Sequence, residues 1–419
     1  MRFLCIGDVH IGRSSSRVPP GSDAPTGAAD AWLRAVDAAI ECDADAVLVA
    51  GDLVDDNSGY FAALGPVKQG MELLAKHGIP VYAIAGNHDF RVLPKMAPAL
   101  APLGFHLLGI EGVWECASVA TSDGQDQVRL WGWSFPGPSW KQSPIAGFPK
   151  EEIGAARLPV LAMVHGEITS GPSYYAPLFL EAMRRCNADL WLVGHVHKPA
   201  DYRSEGFSVI NLGSLQALDP GEAGVRGAWL VDVTASGIEA RQIPVSSVGY
   251  LEATLDAGGI RDEADLTTAF EQLFECSVFP NDYELLRVYR VRVGGRSSRL
   301  EDLRKMCERI QTDQPWLRDR RIVVDQVVFE ALPELDLQEL AGRHDAPGVL
   351  ARMILACEAG RLDQEYPDLM RNAEQARSRL LRKADVGNDT LLPPMPQIVR
   401  EECVRLLEAL LTGRQGHNA

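Results

Sequence analysis

Apolar and polar positions fall in short blocks along the first half of the chain. Phe3 to Ile6 is an apolar run that stops at Gly7. Arg13 to Gly27 is rich in Ser, Pro and Gly and predicts a mobile loop. Ala28 to Cys42 carries Trp32, Val36, Ala39 and Ile40 at helical spacing, so it predicts a helix. Ala46 to Ala50 is wholly apolar and too short for a helix, which predicts a buried strand. A helical segment around Val67 to His77, closed by Gly78, precedes a strand from Ile79 to Ala85. Strand, helix, strand, helix, strand predicts an α/β sheet that is at least partly parallel.

The pattern then turns more β-like. Strands are predicted at Val128 to Trp133, Val160 to Val164, Leu190 to Val193, Val209 to Leu212 and Ala228 to Val233. A loop fills 134–150, and Ile238 to Val245 pairs with the strand before it across Ala235-Ser-Gly237. The character changes near 246. Helices at Leu266 to Phe274 and Leu300 to Ile310 alternate with strands at Leu285 to Val293 and Ile322 to Phe329, a small α+β unit. From 334 onward the pattern is helical. Leu350, Met353, Ile354 and Cys357 share one face, as do Leu369, Ala373, Ala376 and Leu380, and Val399, Cys403, Leu406 and Leu410. Such stripes pack on one another or dock a partner helix. The Gly387-Asn388 and Pro393-Pro394 breaks set the last helix apart. Three domains are expected, at 1–245, 246–333 and 334–419.

Size and composition agree with several cores. The chain has 419 residues, 46% hydrophobic and 23% charged, an ordinary globular balance. No apolar run is long enough for a bilayer, and the N-terminal run is too short for a signal peptide, so a cytoplasmic protein without membrane attachment is expected. None of the 8 cysteines forms a C-x-x-C pair, which predicts reduced and mostly buried thiols. A net charge of -16 argues against coating nucleic acid through bulk charge. The stretch 284–325 departs from it, with 11 Lys/Arg against 7 Asp/Glu.

The candidate chemistry sits where strands end. Asp8 and His10 follow the first strand, two positions apart, and extended geometry would aim both to one face. Asp52 follows the second strand, in Gly51-Asp-Leu-Val-Asp55, and Asn87, His88 and Asp89 follow the third. His165-Gly166 and Gly194-His195-Val-His197 end two later strands. Five of the nine histidines lie in these motifs. Singly, each motif has an ordinary reading: a turn with a helix N-cap, a hydrogen-bonded turn, a core histidine. Together, at the carboxyl ends of successive strands, they predict a metal site. Imidazole with carboxylate and amide oxygen suits manganese, iron or zinc. The absence of cysteine argues against structural zinc. Seven donors exceed the needs of one ion. Two ions about 3.5–4 Å apart, bridged by an aspartate, would use them all and would activate water against a phosphate.

The order Asp-x-His, Gly-Asp-x-x-Asp, Gly-Asn-His-Asp, His-Gly, Gly-His-x-His resembles the calcineurin-like metallophosphoesterases over roughly residues 1–245. The resemblance implies a four-layer α-β-β-α sandwich, followed here by a small α+β capping domain and C-terminal helices. It implies that Asp8, His10, Asp52 and His197 hold one divalent ion and Asp52, Asn87, His165 and His195 the other. Manganese is the expected metal. His88 would touch the scissile phosphate and help protonate or stabilise the leaving oxygen, with Asp89 orienting it.

Within that superfamily the chain is most similar to DNA-repair exonucleases of the SbcD and YhaO type. Asp8-Val-His-Ile-Gly12, Val81-Tyr-Ala-Ile-Ala-Gly-Asn-His-Asp89, Gly194-His-Val-His-Lys-Pro199 and Ile210-Asn-Leu-Gly-Ser214 carry that likeness. It implies a metal-dependent DNA exonuclease, a coiled-coil ATPase partner of the SbcC type bound by the C-terminal helices, and pairing as a homodimer. Asp56-Asn-Ser-Gly-Tyr60 is acidic where a DNA-facing loop would be basic. Two alternatives therefore stand beside the nuclease: a phosphodiesterase or phosphatase for small molecules such as cyclic nucleotides, and a catalytically weak scaffold subunit.

Overall fold

The computed structural model describes residues 1–19, 22, 24–55, 59–121, 124, 127–150, 158–276, 286–334, 336–384 and 393–411. Asp56 to Ser58, Leu285 and the Gly387-Asn388 break lie outside the described residues. The chain divides into two compact units. One comprises Met1–Leu255, Ala269–Arg292 and Cys307–Val328, the other Asp256–Thr268, Val293–Met306 and Phe329–Ala419.

The first unit is built on two six-stranded sheets. Strands β1 (Arg2–Ile6), β2 (Ala46–Ala50), β3 (Val81–Ile84) and β4 (Phe105–Leu107) pair in parallel. The second sheet takes β5 (Glu115–Ala120), β6 (Gln127–Trp133), β7 (Val160–His165), β8 (Leu190–Gly194), β9 (Ala200–Asp201) and β10 (Val209–Asn211), in the order β5-β6-β7-β8-β10-β9. The chain then returns to the first sheet. There β11 (Gly227–Thr234) lies antiparallel to β1, and β12 (Gly237–Pro244) closes the hairpin expected at Ala235-Ser236. The first sheet reads β12-β11-β1-β2-β3-β4.

Strand alternation sorts the core into layers. Leu4, Ile6, Val47, Val49, Val81 and Ala83 face helices Ala28–Glu41, Gly59–Lys76 and Leu93–Leu100, and pack against Trp32, Val36, Val67, Met71 and Met96. Their neighbours Phe3, Cys5, Ala46, Leu48 and Ala50 face the other way, onto Leu130, Leu161, Met163, Leu192 and Ile210 of the second sheet. Because both faces of β1 and β2 are covered, these strands read as continuous apolar runs. Trp131, Trp133, Trp191 and Val193 point outward from the second sheet, against Phe135, Ile145, Phe148, Leu178 and Met183. That fourth layer is thinly helical among the described residues: the 5-residue helix Leu180–Arg184, with loops making up most of the rest.

The first unit also holds most of a three-stranded sheet, β13 (Val248–Asp256), β14 (Leu286–Gly294) and, beyond the short β15 (Arg296–Ser297), β16 (Ile322–Phe329). Val248, Tyr250, Leu286, Val288 and Val323 form its core with Ala217. The start of the Arg13–Gly27 loop, expected to be mobile, is tied down. Ser15 N donates to Thr26 O, Ser16 N to Leu218 O, and the Tyr250 hydroxyl to Ser16 O at 2.6 Å.

In the second unit the helical stripes pack on one another. Helix Ala346–Glu358 supplies Ile354 to Cys403 and Leu407 of helix Met395–Leu411, and Ala356 joins Leu362, Met370 and Met395. Leu406 and Leu410 stay 41% and 52% exposed. An apolar groove of about 510 Å³ runs past Leu350, Met353, Leu369, Ala373 and Leu406. Among the described residues, no helix is long and apolar enough to cross a membrane. All 8 cysteines are free, four of them buried, with Cys116 and Cys276 exposed.

Candidate metal centre

Strands β1, β2, β7 and β8 are adjacent in their sheets, and each runs into one of the polar motifs. The expectation that plain strand alternation aims Asp8 and His10 together needs correcting. Both residues leave extended geometry, with φ of 48° and 55°. The turn is held by the neighbouring strand end: Asp8 N donates to Gly51 O at 3.2 Å, and His10 N to Asp52 O at 2.9 Å. Asp52 (φ 52°) and His195 (φ 100°) are also left-handed. Each such residue costs about 1–3 kcal/mol, and such strain gathers at functional sites. Two glycines make the convergence sterically feasible. Gly51 has φ +91°, and a Cβ there would strike the His165 ring; a Cβ on Gly86 would strike the Asp52 carboxylate.

The result is a cluster of ligand atoms in which Asp8, His10, Asp52 and His165 are buried and Asn87, His195 and His197 half-buried. One ligand atom each from Asp8, His10 and His197 lies within 4.8 Å of the others, and the same holds for Asp8, Asp52 and His165. His10 Nε2 and His197 Nε2 are 3.1 Å apart. Asn87 Oδ1 lies 3.1 Å from both His165 Nε2 and His195 Nδ1. Asp52 Oδ2 is 3.2 Å from His165 Nε2 and 3.9 Å from His10 Nε2. All seven sequence-predicted ligands are therefore gathered in one place.

Their protonation fits a cation. His165 Nδ1 donates to Ala50 O at 2.9 Å, and His197 Nδ1 donates to Glu222 Oε1 at 2.6 Å. In its neutral form each ring then has its Nε2 lone pair aimed into the cluster. Lone pairs this close to other acceptors repel unless positive charge lies between them. The electrostatics say the same. Burial opposes charge on His165, yet the Asp52 carboxylate lifts it to about 9, so the ring recruits a proton when nothing else neutralises the site. Burial and the charge on His165 push His195 down to about 3, leaving its ring neutral and free to bind metal. Burial raises Asp8. Asp52 is held below its usual range, because the His165 charge outweighs its burial. This donor set suits borderline divalent ions.

Residues 1–199 match the family model for calcineurin-like phosphoesterases. The chain carries a calcineurin-like phosphoesterase domain. It is 28% identical over 242 residues to a Bacillus subtilis protein described as an uncharacterized metallophosphoesterase, YhaO, covering 57% of each chain. It is 26% identical over 265 residues to the Haloferax volcanii DNA double-strand break repair protein Mre11, covering 62% of this chain and 55% of that one. The chain thus spans about half the length of the curated relatives it matches. Among solved structures, a dimetal phosphatase from Danio rerio aligns over 58% of this chain with a TM-score of 0.36 and 14% identity, too slight a likeness to bear on the chemistry.

Within this phosphoesterase domain the two remaining predicted residues sit differently from one another. His88 is 39% exposed at the mouth of the cluster, edge-on to His10 at 4.9 Å. Asp89 is fully buried beneath it. Its Oδ1 accepts from Gly86 N at 2.7 Å, and its Oδ2 from Leu53 N at 2.8 Å and Val54 N at 3.3 Å. It thereby clamps the loop after β2 to the loop after β3. Burial and the nearby Asp52 push Asp89 up to about 7, against those amide donors. The expectation that Asp89 orients His88 needs correcting, because both Asp89 oxygens accept from backbone amides; the carboxylate facing the His88 ring is Asp55, with Oδ1 3.6 Å from His88 Nδ1 and 3.6 Å from His10 Nδ1. Asp55 was visible in the Gly-Asp-x-x-Asp motif but had no assigned role. Glu222 carried no local signal at all.

Proposed function

We propose that the protein is a metal-dependent phosphodiester hydrolase acting as a DNA exonuclease in repair, cytoplasmic and working with a coiled-coil ATPase of the SbcC type. The observation that carries the hydrolase reading is the convergence of carboxylate, amide and imidazole ligand atoms from Asp8, His10, Asp52, Asn87, His165, His195 and His197 in one cluster within a calcineurin-like phosphoesterase domain. Asp8, His10, Asp52 and His197 would hold one ion, and Asp52, Asn87, His165 and His195 the other, with manganese as the metal. When bound, such ions supply the Lewis-acid charge that activates water and neutralises a phosphate.

The chain's own residues do the rest. Asp8 steadies the His195 backbone by accepting its N–H at 2.9 Å. Asp89 holds two motif loops in register. His88, half-exposed beside the cluster, stands where it can give a proton to the leaving oxygen, and Asp55 orients its ring.

DNA as substrate is supported by the description of the Haloferax volcanii relative as a break-repair protein. The locally basic stretch 284–325 supports it as well. Division of labour among a catalytic region 1–245, a capping region 246–333 and a partner-binding region 334–419 is part of the same proposal. The exposed Leu406 and Leu410 beside an apolar groove support partner docking, and pairing as a homodimer belongs with it. The net charge of -16 favours the competing reading, a small-molecule phosphodiesterase.

The test is hydrolysis by the full chain with manganese of end-labelled single- and double-stranded DNA, with and without the ATPase, beside a small chromogenic phosphodiester. Release of nucleotides from DNA ends is expected. Turnover of the small diester with no DNA cleavage under any condition would overturn the nuclease reading.

A further inference from the structure

His197 is one of two ligand histidines whose second ring nitrogen is visibly committed, and its partner is a carboxylate rather than a backbone carbonyl. Glu222 Oε1 accepts from His197 Nδ1 at 2.6 Å. A carboxylate can only accept here, so the imidazole hydrogen is fixed on Nδ1 and the lone pair on Nε2, toward His10 and the cluster. Glu222 lies 25 residues from His197 in sequence, in the turn Asp219-Pro-Gly-Glu222.

The glutamate is itself held. Its Oε2 accepts from Ser214 Oγ and from Leu218 N, both at 3.0 Å. Leu218 O accepts from Ser16 N at 2.9 Å, and Ser16 O accepts from the buried Tyr250 hydroxyl at 2.6 Å. Every acceptor site that Glu222 uses is thus engaged, and the side chain cannot turn away from His197 without breaking contacts on both oxygens. Ser214 N also donates to His197 O at 2.8 Å, so the same loop fixes the histidine backbone and its ring.

We propose that Glu222 is the positioning residue of His197, setting its tautomer and ring orientation for one ion of the pair. The proposal rests on the two-ion reading of the cluster. Glu222 touches neither substrate nor ion; it acts through the imidazole. Partners of this kind raise ligand basicity, and their loss typically weakens metal binding about 10–100-fold. Glu222→Gln cannot keep all its contacts. If the amide nitrogen faces His197, it donates to Nδ1 and moves the hydrogen to Nε2, where the metal must bind. If the amide oxygen faces His197, the amide nitrogen meets the Leu218 N–H.

The experiment is manganese titration by calorimetry, with metal counted after gel filtration, on the full-length wild type, Glu222→Gln, Glu222→Asp, His197→Ala and the double variant Glu222→Gln/His197→Ala. The expected wild-type result is two ions per chain. Glu222→Gln should weaken one of the two sites about 10–100-fold and leave the other within about 3-fold. Glu222→Asp, which keeps the carboxylate, should recover part of the loss. The double variant should bind no worse than His197→Ala, since the glutamate acts only through that ring. A Glu222→Gln protein that melts earlier but binds both ions like the wild type would overturn the positioning role and leave the two-ion reading standing. So would a double variant that loses the two effects additively. A wild type that binds no manganese would sink the two-ion reading itself.

Discussion

Replacing Asp89 with alanine separates the scaffold of the site from its chemistry. The side chain is fully buried and accepts from three amides, Gly86 N at 2.7 Å, Leu53 N at 2.8 Å and Val54 N at 3.3 Å. Two of these bonds are short, and a buried amide left without a partner costs about 1–3 kcal/mol. The third is long and adds less. Part of the loss is returned, because burial has already pushed this carboxyl up to about 7 and its removal relieves a poorly solvated charge. The net expectation is about 2–4 kcal/mol of stability, or roughly 4–16 °C in the melting temperature of a region this size. Asp89→Asn keeps one accepting oxygen and should lose about half as much. Urea unfolding of the metal-free protein, followed by tryptophan fluorescence, reads the stability directly. The loops tied by Asp89 carry Asp52 and Asn87, so manganese affinity should fall in the alanine variant as well. An Asp89→Ala protein with an unchanged unfolding midpoint and unchanged manganese binding would refute the clamp.

Three further outcomes follow from the geometry. His88→Ala should keep two ions per chain, measured by elemental analysis, and lose about 10²–10⁴-fold in turnover; loss of an ion would instead make His88 a ligand. Manganese uptake by metal-free protein at pH 7.5 should release a proton, seen with a pH indicator in weak buffer. His165, lifted to about 9 against its burial by Asp52, carries a proton that the metal must displace. The release should fade above pH 9. By the same sign, this histidine stabilises the metal-free fold below its ordinary value of 6.5, and that contribution disappears as pH rises through about 9. Chelation should lower the melting temperature, and readdition of manganese at about 100 times its dissociation constant should restore about 2.7 kcal/mol for each ion bound; a melting curve indifferent to chelator would count against a resident metal.

The sequence reveals the site more fully than it reveals how the site is held. Buried strands such as Ala46–Ala50 stand out because both faces are covered, and the polar residues that interrupt them are conspicuous. The seven proposed ligands could therefore be named from strand ends. How Asp8 and His10 converge was not legible, since left-handed backbone at non-glycine positions leaves no mark in hydrophobic periodicity. Asp55 sat in a visible motif, but its place between His10 and His88 depends on how two loops pack. Glu222 reaches His197 through a turn without regular structure, so no periodic pattern pointed to it. The layered sandwich came from family resemblance. Periodicity alone could not say that Phe3 and Leu48 face Leu130 and Leu161 of another sheet. The outer layer over Trp131 and Trp191 was harder still, because loops supply most of it.

Asp52 is the residue whose carboxylate is expected to serve both ions. The decisive measurement is manganese content and phosphodiester turnover of Asp52→Ala beside the wild type. The wild type should hold two ions and hydrolyse a phosphodiester, and the variant should lose both ions and the activity together. A variant that keeps its full complement of manganese, or that still turns over substrate at the wild-type rate, would contradict the two-ion centre.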